Sequence, residues 1–197
     1  MTKRPSISLV NDSQAERRLA QQLNELFETY GLERYFYTET VQIEDGVIPH
    51  SHPILTLSPS TFGTQYLDNP NALLATYIHE QMHWFTLLET HKDNGSKAKH
   101  HFEKLYPDLP LDLPKGCGSR FSNYLHITVN WLEYDSLRTL LGAEKAYTEL
   151  TGRNFYTSIY ALVLENDADI KETLRQHNLL LPERPPEPKK FRQVKSS

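Results

Sequence analysis

The chain has 197 residues, 38% hydrophobic and 23% charged, with a net charge of −4. That length suits one domain with a real core, while the weak negative charge excludes the basic field that nucleic-acid binding requires. A single cysteine excludes an internal disulfide, and no run approaches the roughly 18 apolar residues of a membrane span.

In chain order, MTKRPSISLVNDSQ lacks the apolar stretch of a signal peptide, so a cytoplasmic protein is expected. Leu19, Leu23, Leu26, Phe27 and Tyr30 then recur at helical spacing, with Asp12 or Ser13 as N-cap and Gly31 as stop. Residues 34–58 read as two or three short strands: RYFYTETVQI alternates, EDGV turns, and HPILTLSP closes at Pro59, with Pro53 suiting an edge strand. NPNALLATYIHEQMHWFTLLETH predicts a long helix that Asn69 or Asn71 caps and whose apolar residues continue through Leu88. Residues 93–119 predict a long polar, then Pro- and Gly-rich excursion with one short helix.

FSNYLHITVNWLEYDSLRTLLG predicts another long helix ending near Gly142, followed by helices over 143–150, 154–165 and from Asn166 or Asp167 to about His177. From residue 181 the chain becomes Pro-rich and charged, which predicts a disordered tail over 181–197. The expectation is a single mostly helical α+β domain over residues 1–180, with a small sheet.

The chemistry concentrates in residues 79–83, HEQMH. Imidazoles at i and i+4 share one helix face and suit a tetrahedral metal ion, so His79 and His83 are candidate ligands. Glu80, directly after the first histidine, stands where a carboxylate can serve as general base. Two imidazoles and a carboxylate on a helix with apolar flanks need partners if buried. The alternative is a histidine pair bonded within the core, with Glu80 facing solvent.

HEQMH resembles the signature of the zincin superfamily of zinc metallopeptidases, and the order of helix, small sheet, motif helix and later helix agrees with it. The resemblance implies a zincin-like fold, one Zn²⁺, and hydrolysis of peptide bonds by metal-activated water with Glu80 as base. It also implies a third ligand and an open fourth position. The metzincin spacing is not met, because Glu89 and Thr86 stand where that pattern has histidine and glycine. The gluzincin solution, a glutamate from a downstream helix, makes Glu133 the leading third ligand and His126 the next. NWLEYDS matches the best-known gluzincin pattern only loosely.

His126, Asn130, Glu133, Leu137 and Leu140 form one helical stripe, so these polar side chains face inward and need partners. If Glu133 binds metal, His126 can donate to a developing oxyanion, a role for which Tyr156 and Tyr160 compete. Core packing with the hydroxyl at the rim is the plainer account of both tyrosines.

Cys117 in PKGCGSR is a weak match to a metzincin cysteine switch, and a loop cysteine without a task is the better reading. His100 and His101 read as solvated residues beside lysines, and the cationic C-terminus as solvated charge. ILTLSPSTF, as an edge strand, could pair with an extended peptide. The expected partner is a peptide or protein substrate, with no nucleic acid and no membrane. Two rivals remain: a non-catalytic protein with a structural metal site, and a helical interaction protein without metal.

Overall fold

The computed structural model describes residues 4–61, 64–88 and 92–183. The expected tail, from residue 184, and Glu89 lie outside them. The protein is α+β and mostly helical. The chain divides into two compact units, the first running to Phe85 and the second covering Thr86–Leu181. Among the described residues no helix is long and apolar enough to cross a membrane.

The first unit holds a three-stranded parallel sheet, β1 (Ser6–Leu9), β2 (Thr40–Ile43) and β3 (Leu55–Leu57), in the order β1-β2-β3. β1 is not among the expected strands. Its apolar run is short, and only pairing with β2, from Ser6 opposite Thr40 to Leu9 opposite Ile43, makes it a strand. Parallel neighbours need a crossover, and helix α1 (Gln14–Tyr30) provides it between β1 and β2. Residues 34–39, expected to extend, instead follow or join a 3-10 helix, Leu32–Tyr35. The outer edge of β3 carries a bridge from His50 to Thr56, which occupies the edge proposed for an extended peptide at that position. A two-residue pair, β4 (Ser60–Thr61) and β5 (Thr64–Gln65), follows.

α1 begins in a capping box: the Glu16 amide donates to Ser13 Oγ and the Ser13 amide to the Glu16 carboxylate. The helix ends at Gly31, whose φ of 59° is the left-handed conformation that glycine adopts without a Cβ clash. Leu19, Leu23, Leu26 and Phe27 are buried on one face, as their spacing requires. Glu16 is buried too, accepting from the Asn11 side chain and from the amides of Asn11, Ser13 and Asp45. Burial alone would raise its pKa, but these donors outweigh that and hold it below the usual range.

Helix α2 (Pro70–Leu88) differs from α1 in being buried on every side, from Ala72 through Met82. A helix without a solvent face is central to its surroundings.

In the second unit, α3 (Lys92–Leu105) replaces most of the expected excursion, leaving 106–119 irregular. Ala98 and Phe102, four apart, give α3 the buried stripe that stabilises it. α4 (Arg120–Leu141), α5 (Ala143–Thr151), α6 (Thr157–Glu165) and α7 (Asp167–Gln176) fall close to the expected spans. α4 packs against each of the other four. The Trp131 indole donates to Asp167 at 2.8 Å, and Arg138 reaches the same carboxylate at 2.6 Å, tying α4 to the start of α7.

Candidate metal centre

Burial on α2 forces every polar group of HEQMH to be accounted for. Gln81 is completely buried; its oxygen accepts from the Tyr37 amide at 3.0 Å and its nitrogen donates to the Tyr77 hydroxyl at 3.1 Å. Gln81 and Met82 therefore anchor the helix, and the motif's variable positions are structural. His79 and Glu80 are buried and His83 half-buried. The two imidazole rings are 5.0 Å apart at 71°, on one face as the spacing predicts.

His126 lies in the first half of α4, whose N-terminus Ser119 caps by accepting from the Ser122 amide. Its Nδ1 is 2.8 Å from the Ser122 carbonyl oxygen. A carbonyl can only accept, so Nδ1 carries the proton and the lone pair of the neutral ring is at Nε2. The Ser122 hydroxyl is 3.3 Å from the same nitrogen.

Among the described residues, His79, His83 and His126 form a group in which one ligand atom from each lies within 4.8 Å of the others. Ligand atoms around a tetrahedral zinc are about 3.3 Å apart, so the side chains would close by at most about 1.5 Å. The group includes His126, the second of the two third-ligand candidates, rather than Glu133. Imidazole donors of this kind fit zinc and related first-row ions.

Glu133 is fully buried two turns further along α4. One of its oxygens is 2.8 Å from Arg153, and the other accepts from the Tyr160 hydroxyl at 2.8 Å. Burial first, then the charge of Glu133, pushes the Tyr160 phenol well above its usual pKa, so it stays a donor. Asn130, between His126 and Glu133 on the stripe, is also fully buried.

Tyr156 stands immediately before α6 with φ 56° and ψ 32°, a left-handed backbone at a bulky aromatic residue. Such a conformation costs about 1–3 kcal/mol and persists only where neighbours impose it. Its ring lies 4.5 Å from the His126 ring, tilted by 51°. The next two amides, of Thr157 and Ser158, donate to the carbonyls of Pro114 and Lys115 at 3.0 and 3.1 Å. The sequence singled out Tyr156, but its relation to His126 has no signature in residue spacing.

Cys117 is not in the group. Burial pushes its thiol up to about 12, which keeps it protonated, and its amide donates to Asn123 at 2.7 Å. His100 is exposed and 3.4 Å from Glu103, while the His101 ring lies 5.8 Å from that of His177.

No protein-family model, no curated protein and no solved structure matches this sequence.

Proposed function

We propose that this chain is a metal-dependent hydrolase of the HExxH type, binding one zinc ion through His79, His83 and His126 and cleaving peptide bonds. The observation that carries the reading is the grouping of three imidazoles whose ligand atoms lie within 4.8 Å of one another. Three neutral nitrogen donors are a common catalytic zinc set, and they leave a fourth position for water or substrate. The Ser122 carbonyl supports it further by holding His126 in the tautomer that can ligate through Nε2. When bound, Zn²⁺ supplies Lewis acidity, polarising a carbonyl and making water acidic near neutral pH.

Glu80 does the proton transfer. It follows a ligand directly and is buried. It takes a proton from the attacking water and delivers it to the leaving amine. Tyr156, packed on His126, is the hydrogen-bond donor for the carbonyl oxygen as it gains charge. Tyr160 is not assigned that task, because its hydroxyl donates to Glu133. The peptide substrate rests on the likeness of HEQMH to zincins. A histidine, His126, stands in for the gluzincin glutamate.

A purely structural metal site is the second reading. It would call for a fourth protein ligand, and the group among the described residues has three. The test is elemental analysis of protein purified without chelators, followed by digestion of a mixed peptide library. One zinc per chain and cleavage abolished by Glu80→Gln support the hydrolase. Zinc without cleavage of any peptide supports the structural reading, and no transition metal ends both.

A further inference from the structure

Glu133 sits in the stripe that carries His126, yet its carboxylate is engaged elsewhere in an unusual way. Arg153 binds one oxygen and Tyr160 the other, both at 2.8 Å. Arg153 lies three residues before Tyr156 and Tyr160 four residues after it. One buried carboxylate therefore grips the chain on both sides of the residue whose backbone is left-handed. That residue's ring is the one packed 4.5 Å from His126. A single helix, α4, thus holds both the imidazole and the anchor of the segment that covers it.

We infer that Glu133 is a positioning residue, which through Arg153 and Tyr160 holds Tyr156 in its left-handed conformation against His126 so that the Tyr156 hydroxyl faces the reacting carbonyl. The clamp stands on distances alone; the task of the Tyr156 hydroxyl rests on the metal-hydrolase reading. The backbone of Tyr156 calls for outside support. A tyrosine gains nothing locally from positive φ and relaxes toward ordinary backbone unless held. The amides of Thr157 and Ser158 already tie the following turn to Pro114 and Lys115, and the Arg153 and Tyr160 side chains add a hold on both sides of Tyr156. Glu133 meets the need because a carboxylate with two separate acceptor oxygens can bind two partners at once. Asparagine or glutamine offers a single acceptor oxygen and could hold only one arm in this way.

The experiment uses the full chain and two probes. In the metal-free protein, the imidazole proton resonances of His126 report the Tyr156 ring above it. Glu133→Gln and Tyr160→Phe should both move them toward the positions seen in Tyr156→Ala; Tyr160→Phe keeps the Glu133–Arg153 pair and so guards against misfolding. Resonances unchanged in Tyr160→Phe and in folded Glu133→Gln would overturn the clamp. In the Co²⁺-loaded protein, acetohydroxamate binding read by visible absorption reports the donor beside the open position. Co²⁺ affinity should stay within about threefold of wild type in Tyr156→Phe and Glu133→Gln, while acetohydroxamate affinity falls about tenfold in each. The double variant should be no worse than either single one. Additive losses, or loss of Co²⁺ itself in Glu133→Gln, would also overturn the proposal. If the wild-type protein takes up no Co²⁺, the metal reading alone fails, and the His126 resonances still decide the clamp.

Discussion

The Nδ1 of His126 lies 2.8 Å from the carbonyl oxygen of Ser122, one helical turn earlier. This bond uses a backbone acceptor whose amide partner, at the C-terminal side, is the imidazole-bearing residue itself, so no side-chain substitution at Ser122 removes it. It leaves the lone pair of the neutral ring at Nε2, the nitrogen through which His126 would bind a metal.

The first prediction follows from that tautomer. His79→Ala, His83→Ala and His126→Ala should each drop zinc well below one per chain, while Glu133→Ala should retain it if the protein folds. Elemental analysis after gel filtration checks this. Wild-type zinc in His126→Ala would remove it from the ligand set.

Glu80→Gln tests the base. The amide is nearly isosteric but cannot accept the proton, so peptide hydrolysis should fall by about 10²–10⁴ or more with zinc content unchanged. Near wild-type turnover in this variant would exclude Glu80 from the mechanism.

Glu133→Ala should be costly to stability. It removes the 2.8 Å bond to Arg153, whose side chain is only 17% exposed, together with the bond from Tyr160, and each hydrogen bond to a charged group contributes about 1.5–3 kcal/mol. Tyr160→Phe should cost less, about 1.5–3 kcal/mol for a hydrogen bond to a charged group. Urea unfolding of both variants measures the difference, and equal midpoints with wild type would show that the buried pair contributes nothing.

Glu16 predicts a pH dependence. Its folded pKa lies below the unfolded value of about 4.3, so its contribution is complete above that pH and is lost as pH falls through the folded pKa. Glu16→Gln should therefore lower stability by about 1–3 kcal/mol at pH 7, with the gap to wild type closing in acid. A gap of constant size from pH 7 to pH 2 would show that the carboxylate's charge is irrelevant.

Local pattern alone determined most of the helices. α1 carries its capping box, its i, i+4 apolar stripe and its terminal glycine within one segment, and the HEQMH pair needs only the helical repeat to bring two imidazoles to one face. Strands were less legible. Residues 34–39 alternate yet do not form a strand of the sheet, and β1 exists because β2 pairs with it in parallel, a long-range hydrogen-bond pattern that no local alternation encodes. The missing part of α3 has the same cause: two buried residues, Ala98 and Phe102, anchor a segment that is otherwise polar.

Local reading named His126 but ranked Glu133 ahead of it, and the reason is geometric. His126 and Glu133 are seven residues apart on one stripe, so they share a helix face and differ only by about 10 Å along its axis. Spacing establishes that both point inward; it carries no information about which of them groups with the HEQMH pair. In the folded chain His126 groups with His79 and His83, while Glu133 bonds Arg153 and Tyr160. Which side chains share a face was legible in the chain alone, because that depends only on the helical repeat. Their partners depended on packing between segments distant in the chain, which only the folded structure supplies.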